Sequence, residues 1–462
     1  MMMSKSARCA DGLGRRAIAG MLFVLGCLVL AAPPARAVPS MGNQTGYACS
    51  RCHTVFPELT PYGRQFKLGG FTASSSKWDE KAWSDRLPVA VGLLGSRTST
   101  NSTSAGGTAA DEFPKDRKAV VQTAAVYYGG KIYDNVGALI QYNYEGIEKR
   151  WGIEMFDARY ANSVQVAEKD LVFGVTVNNN PTVSDIYNST SAWGFPHTGT
   201  AAEQMPATTL VDMTLASKVG GVGVYGMWDD LVYLEVAAYR TAKSGALRFA
   251  SWGQNWNSDE LAGSLLDGSA PYVRLALQKE LKPHSFAVGI YGLRASLFAD
   301  ANNRALGTNR FRDVGYDANY QYIEGDHSLS LRANWIREKQ TFNDAFVGAG
   351  LASNPTNTLR TFRADVHYYF QRQWGGGVQY FRTSGSSDDL RYNTGDALFG
   401  STNGSPNTKG WMAEVNYLPW ENLKLALRVT QFQQFNGART DYTPGRSASD
   451  NNNLFVMGWL LF

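Results

Sequence analysis

Apolar and polar residues alternate with a period of two from about position 86 to the end of the chain, and no helical periodicity of comparable length competes with it. In residues 136–145, Val136, Ala138, Ile140, Tyr142 and Tyr144 share one face, while Gln141, Asn143 and Glu145 share the other. Phe362, Ala364, Val366, Tyr368 and Phe370 are set in the same way against Arg363, Asp365 and His367. So are Leu423, Leu425, Leu427 and Val429 against Lys424, Arg428 and Thr430. The pattern predicts about sixteen strands, near 86–98, 118–130, 135–145, 152–162, 168–178, 208–228, 231–240, 271–280, 284–297, 313–324, 326–338, 358–370, 373–383, 409–418, 421–435 and 451–462. The run 208–228 is too long for one span or conceals a turn. Short connections (130–134, 164–167, 229–230, 281–283, 324–326, 371–372, 419–420) alternate with long ones (99–117, 179–207, 241–270, 383–408) rich in Ser, Thr, Asn and Gly. A mainly β chain of this kind reads as an antiparallel outer-membrane β-barrel of a Gram-negative bacterium, with lipid outside, a polar lumen and both termini in the periplasm. The closing apolar strand, which ends on Phe462, resembles the address read by the outer-membrane assembly machinery.

The first 37 residues read as a secretory signal. Lys5, Arg8, Arg15 and Arg16 form its basic region, 21–32 its apolar core, and Ala35-Arg36-Ala37 its cleavage site. Val24-Leu25-Gly26-Cys27 offers a lipoprotein box instead, but the apolar run continues past Cys27 to the better cleavage site. The leader takes five basic residues and one acidic residue with it, so 39 of each sign remain in the mature chain. A net charge of zero argues against a nucleic-acid partner.

Of four cysteines, only Cys49 and Cys52 survive cleavage, in Cys49-Ser50-Arg51-Cys52-His53. The C-x-x-C-H spacing allows two thiols on one helical turn to form thioethers with a haem, while the adjacent His53 presents its imidazole to the iron. A disulfide or half of a zinc site are the competing readings, but a structural zinc site takes four protein ligands and no second Cys pair exists. The expectation is one covalently bound haem c held by Cys49, Cys52 and His53. Residues 38–85 are too few for a self-sufficient core, so this small α-helical cytochrome segment should lean on the barrel of 86–462 and plug its lumen near the periplasmic mouth. A helix should start with Thr60 as N-cap and Pro61 in its first turn, and Phe66, Leu68 and Phe71 should cover the porphyrin.

The run 38–49, followed by Cys52-His53, Phe56-Pro57-Glu58-Leu59-Thr60-Pro61, Gly63-Arg64 and Phe66-Lys67-Leu68, resembles the fused outer-membrane monohaem cytochrome-porins of Fe(II)-oxidising bacteria. The order of leader, haem segment and barrel matches as well, although the motif detail is confined to about thirty residues around the haem. The resemblance implies an iron oxidase that takes electrons from extracellular Fe(II) at the haem and passes them to a periplasmic c-type cytochrome. The same architecture would serve outward electron transfer to minerals, or a solute porin with a structural haem.

The second axial ligand has two candidates in the sequence. Met41 is the other ligand type within the haem segment, and a Met ligand raises the haem potential. His367 shares the lumen-facing parity of Arg363 and Asp365. His284 and His327 fall at inferred periplasmic turns, and His197 in an outer loop. Oxygen donors for iron could come from Asp111-Glu112, Asp259-Glu260 or Asp388-Asp389 in the long loops, where solvated loop charge is the plainer explanation.

Overall fold

The computed structural model describes residues 39–82, 86–102, 116–146, 149–200, 206–242, 265–393, 395, 398 and 400–462. The leader, Asp111, Glu112, Asp259 and Glu260 lie outside the described residues. Sixteen strands pair in chain order: β1 (Val89–Thr100), β2 (Ala119–Tyr133), β3 (Val136–Glu145), β4 (Arg150–Val166), β5 (Lys169–Asn178), β6 (Val219–Trp228), β7 (Val232–Thr241), β8 (Ala270–Leu281), β9 (His284–Phe298), β10 (Thr308–Glu324), β11 (His327–Thr341), β12 (Thr356–Phe370), β13 (Trp374–Gly385), β14 (Thr408–Trp420), β15 (Leu423–Gln434) and β16 (Asn453–Leu461). β1 and β16 close the barrel in an antiparallel ladder from Gly92↔Leu461 to Thr100↔Asn453. Closure leaves no unpaired sheet edge, which a hydrocarbon environment would not tolerate.

Alternation places the two faces in opposite solvents. Val222, Val224, Leu234, Val236, Val273, Leu275, Leu277, Val288 and Val415 are exposed on the outside, while Glu235, Arg274, Asp317, Asn319, Arg332 and Arg428 are buried within. An exposed apolar belt of this extent is a surface for lipid. Exposed Tyr133, Trp228, Phe370, Trp374 and Trp420 mark its short-turn rim, and Trp374 stacks on Tyr417 at 4.1 Å between ring centres. The tightest turns use two successive residues in the left-handed region, as two-residue hairpins require: Ala167-Glu168, Asp229-Asp230 and Gln371-Arg372. His284 and His327 begin β9 and β11 at this rim, within hydrogen-bonding distance of Tyr320 and Tyr368 hydroxyls.

The run 208–228 divides as its length suggested, with only Val219–Trp228 in the wall. The preceding segment is held inside the barrel because the Leu210 and Val211 amides donate to Glu338 (2.6 Å) and Asp313 (2.7 Å), carboxylates on β11 and β10. Met213 and Ser217 adopt left-handed backbone there, which ends any extended run. Residues 179–200 of the expected outer loop 179–207 also turn inward: Val183, Ile186, Tyr187, Trp193 and Phe195 are all buried. Asp185 organises it by accepting from the amides of Tyr187, Ser189 and Thr190, and Arg274 anchors it to the wall with 3.3 Å to Asp185 and a two-pronged pair to Asp317 at 2.9 and 2.8 Å.

The N-terminal segment lies against the inner wall of the barrel as short helices Pro39–Thr45, Cys49–Cys52, Pro61–Leu68 and Ser76–Asp79. Gln44 ties it together and to the wall, donating to the carbonyls of Phe71 and Ala73 and accepting from the Lys131 amide. Arg64 reaches Ser285, Asn319 and Gln321 on β9 and β10. The Tyr225 hydroxyl donates to the Leu68 carbonyl at 2.9 Å. Helix Pro61–Leu68 begins as expected, with the Thr60 hydroxyl accepting from the Gly63 amide at 3.2 Å and Pro61 in the first turn. That hydroxyl also donates to the Arg51 carbonyl at 2.7 Å, joining the helix to the C-x-x-C turn. Thr60→Ala should therefore cost about 1–2 kcal/mol locally, read as faster amide exchange at 62–64 with exchange in the barrel strands unchanged.

Candidate haem site in the barrel lumen

The Cys49–Cys52 turn lies at the short-turn end of the barrel, because the Cys49 amide donates to Glu421 Oε2 (3.1 Å) in the turn between β14 and β15. Both cysteines and His53 line one cavity of about 680 Å³, a volume in the range of small-molecule and cofactor pockets. Its lower walls are apolar and aromatic: Phe56, Leu59 and Phe66 from the plug, Tyr127 and Leu139 from β2 and β3, and Trp459 from β16. Phe56 and Trp459 meet edge to face at 4.8 Å. Phe71 also lines the cavity, whereas Leu68 turns away from it and packs with Tyr187, Tyr225 and Tyr233.

The cavity continues along β2, β3 and β4 to Gln122, Thr123, Asn143, Glu145 and Arg150, at the strand ends joined by the longer connections. It therefore connects the C-x-x-C-H turn with the outer half of the lumen.

His53 is oriented by its own loop. Its Nδ1 lies 3.2 Å from the Glu58 carbonyl, a bond made when Nδ1 carries the proton, which leaves the Nε2 lone pair open for a metal. Burial lowers the His53 pKa to about 4, so the ring is neutral near pH 7. Burial also pushes the Cys52 thiol up to about 11. Redox-active C-x-x-C pairs depend on a lowered thiol pKa, and the zinc alternative needs further ligands. Neither cysteine belongs to a metal-ligating group among the described residues. An apolar cavity, a thiol pair on one turn and a buried imidazole beside it, with Nδ1 turned to the Glu58 carbonyl, fit a covalently held haem.

For the sixth iron position, Met41 lines the cavity, with its methyl group packed towards β2 at Gly129. His367 does not: its ring is buried on β12 with Nδ1 against Glu58 Oε1 and Phe195 packed at 4.8 Å. Lumen-facing parity was correct for His367, but the Glu58 turn of the plug stands between it and the cavity. His197 is brought inside by the inward loop and lines the cavity, its Nε2 3.8 Å from Glu58 Oε1. Met155 and Met213 line it as well. Sequence reasoning missed these three as cavity residues: nothing in local pattern announces that the segments carrying His197 and Met213 will fold inward, or that the cavity will reach Met155 on β4.

Of the expected oxygen donors, Asp388 has a structural task. It is buried and accepts from the amides of Ser353 and Arg391 and from Asn357.

Lys67, on the plug, donates to the Asp185 carbonyl (2.5 Å) and Asn188 (3.0 Å) and lies 4.1 Å over the Trp193 ring. Burial, followed by the nearby Arg159, lowers its pKa to about 7. Asn188 in turn donates to the Pro57 carbonyl at 2.9 Å, so the inward loop and the loop after the C-x-x-C-H turn brace one another.

No protein-family model and no curated protein matches the chain. Similar solved structures include Salmonella typhi OmpF in complex with daunomycin, at 13% identity over 81% of this chain and 97% of that one, with a TM-score of 0.46. The outer membrane channel DcaP of Acinetobacter baumannii is similar at 10% identity over 81% and 96%, TM-score 0.42. OmpT of Vibrio cholerae is similar at 9% over 81% and 97%, TM-score 0.41. No activity, ligand or assembly is carried from these proteins to this one.

Proposed function

We propose that the protein is an outer-membrane electron conduit that oxidises extracellular Fe(II) at a c-type haem and delivers electrons to a periplasmic cytochrome. The observation that carries this reading is the continuous cavity inside a closed barrel, running from Cys49, Cys52 and His53 near the periplasmic mouth to the outer strand ends. The bilayer, about 30 Å thick, insulates the two sides, so a redox centre fixed within the lumen shortens the gap between donor and acceptor. A haem held there would supply a one-electron couple, matching the single electron that each Fe(II) gives up on oxidation to Fe(III).

The protein's own residues bind, orient and shield. Cys49 and Cys52 would hold a haem through their sulfurs and His53 would offer its Nε2, with the ring oriented by the Glu58 carbonyl. Phe56, Phe66, Tyr127 and Trp459 exclude water from the lower cavity. On the exit side Arg51 is exposed and lies 4.6 Å over the Tyr62 ring, with Tyr47 beside it, presenting a cationic and aromatic surface next to Cys52. The inward loop and plug occupy the space that an open porin of this strand number would leave to solvent, which favours a conduit over a solute channel.

The test is anaerobic mixing of oxidised, detergent-solubilised protein with Fe(II). One haem per chain should remain bound through denaturation and be reduced rapidly, and Cys49→Ala/Cys52→Ala should abolish both signals. A wild-type haem that is extracted by acid and organic solvent, or that Fe(II) leaves oxidised, would contradict the reading.

A further inference from the structure

Three residues far apart in sequence meet behind the haem loop: Glu58 from the plug, His197 from the inward loop and His367 from β12. One donor atom from each lies within 4.8 Å of the others. His367 Nδ1 touches Glu58 Oε1, and His197 Nε2 is 3.8 Å from the same oxygen. The side chains of Glu58 and His367 are 2% and 1% exposed, and that of His197 5%.

The hydrogen-bond inventory of this cluster does not close. Both ring nitrogens of His197 and Nε2 of His367 are buried without a hydrogen-bond partner. Buried imidazole nitrogens nearly always have one. Asp365 approaches His367 Nε2 only to 3.8 Å, beyond hydrogen-bonding distance. The room for the His367 ring is specific too. Gly377 is its partner across β12 and β13, and a Cβ there would fall 1.8 Å from the ring's Cδ2. The surrounding charges balance: Arg332, 3.4 Å from Glu58, is paired to Asp365 at 2.9 Å, and Lys424 is paired to Glu414 at 3.1 Å. Arg428 also lies 3.7 Å from Glu414, so these three cations balance the three carboxylates, Glu58 included.

Two imidazoles and one carboxylate around a common point form a donor set suited to a divalent first-row transition ion with open positions. We propose that Glu58, His197 and His367 bind one such ion. That the ion is Fe(II) rests on the function proposed above; the site itself does not. His197 also lines the cavity, so an ion entering from the outer half of the lumen would meet this residue. Glu58 then links the site to the haem loop, because the residue that offers its carboxylate to the ion offers its carbonyl to His53. A substrate ion held there would be one side chain and one hydrogen bond from His53.

The experiment is equilibrium dialysis of the full chain in detergent against Co(II), after chelator treatment, with cobalt and haem counted separately. About one Co(II) per chain is expected, with a high-spin Co(II) electron paramagnetic resonance signal showing nitrogen ligation. His197→Ala and His367→Ala should each weaken binding about 100-fold or more, whereas His284→Ala and His327→Ala should not. Gly377→Ala, which displaces the His367 ring without removing a donor, should weaken it as well. Cys49→Ala/Cys52→Ala should keep the cobalt, so that the site can be established even if the haem reading fails. Protease resistance of the barrel identifies variants that have not folded. No bound cobalt in folded wild type, or binding unchanged in both histidine variants, would overturn the proposal. A haem absorption spectrum altered by His197→Ala with cobalt binding retained would also overturn it, and would assign His197 to the haem instead. Fe(II) reducing the haem in a protein that binds no cobalt would leave the proposed function standing and remove only this site.

Discussion

Gly63→Ala should sharply reduce haem loading. A Cβ on Gly63 would fall 2.2 Å from the Cys52 carbonyl oxygen and 3.0 Å from both the Cys52 carbonyl carbon and a Leu59 methyl. Two of these are backbone atoms of the C-x-x-C-H segment, so no side-chain rotation relieves the overlap. The same Cys52 carbonyl accepts from the Thr60 amide at 2.9 Å, and helix and haem loop would have to separate there. Overpacking of this kind costs about 1–3 kcal/mol, equivalent to about 5–150-fold in the population of the closed loop. Gly69→Ala is the matched control, because its Cβ would come no closer than 3.3 Å to the Gln65 carbonyl. Haem per folded barrel, measured after denaturation, should fall in the first variant and hold in the second.

Arg274→Met should release the inward loop. The Arg274 side chain is fully buried, and its guanidinium neutralises both Asp317 and Asp185. The Ser189 hydroxyl closes the set by donating to Asp317 at 2.6 Å. Removing the cation leaves two carboxylates facing one another out of water, a change that costs about 3–5 kcal/mol for a buried pair. The barrel has its own closed ladder and should persist, so the cost falls on the contact between loop and wall. External protease should cut within 179–218, and ion conductance through the barrel should rise. Arg274→Met combined with Asp317→Asn should recover part of the protection by removing one of the stranded charges. Equal protection of Arg274→Met and wild type would show that the loop is held by its apolar residues alone.

The wall of the barrel was legible in the sequence because period-two alternation between lipid and lumen is enforced at every strand. All sixteen runs correspond to strands, and the doubtful one, 208–228, retains only Val219–Trp228. What lies inside the barrel was less legible. Residues 179–200 and 206–218 are rich in polar groups, as an outer loop would be, yet Asp185 is used on Arg274, Ser189 on Asp317, and the Leu210 and Val211 amides on Glu338 and Asp313. The pattern of a loop facing water and that of a loop facing a charged lumen are alike. His197 was placed outside for this reason. His367 was assigned to the correct face, but a face does not say whether a cavity or another side chain stands opposite. By contrast, the start of helix Pro61–Leu68 was readable from Thr60 and Pro61, since capping is a local interaction.

The most direct test of the account is the sidedness of electron entry. Sealed outer-membrane vesicles containing the oxidised protein, with the long-loop side outward, are mixed anaerobically with a membrane-impermeant Fe(II) complex while the haem spectrum is followed. The account predicts rapid reduction of the haem by external Fe(II), absent in Cys49→Ala/Cys52→Ala vesicles. A haem that stays oxidised with external Fe(II), yet is reduced at once when a donor is placed on the periplasmic side, would contradict it.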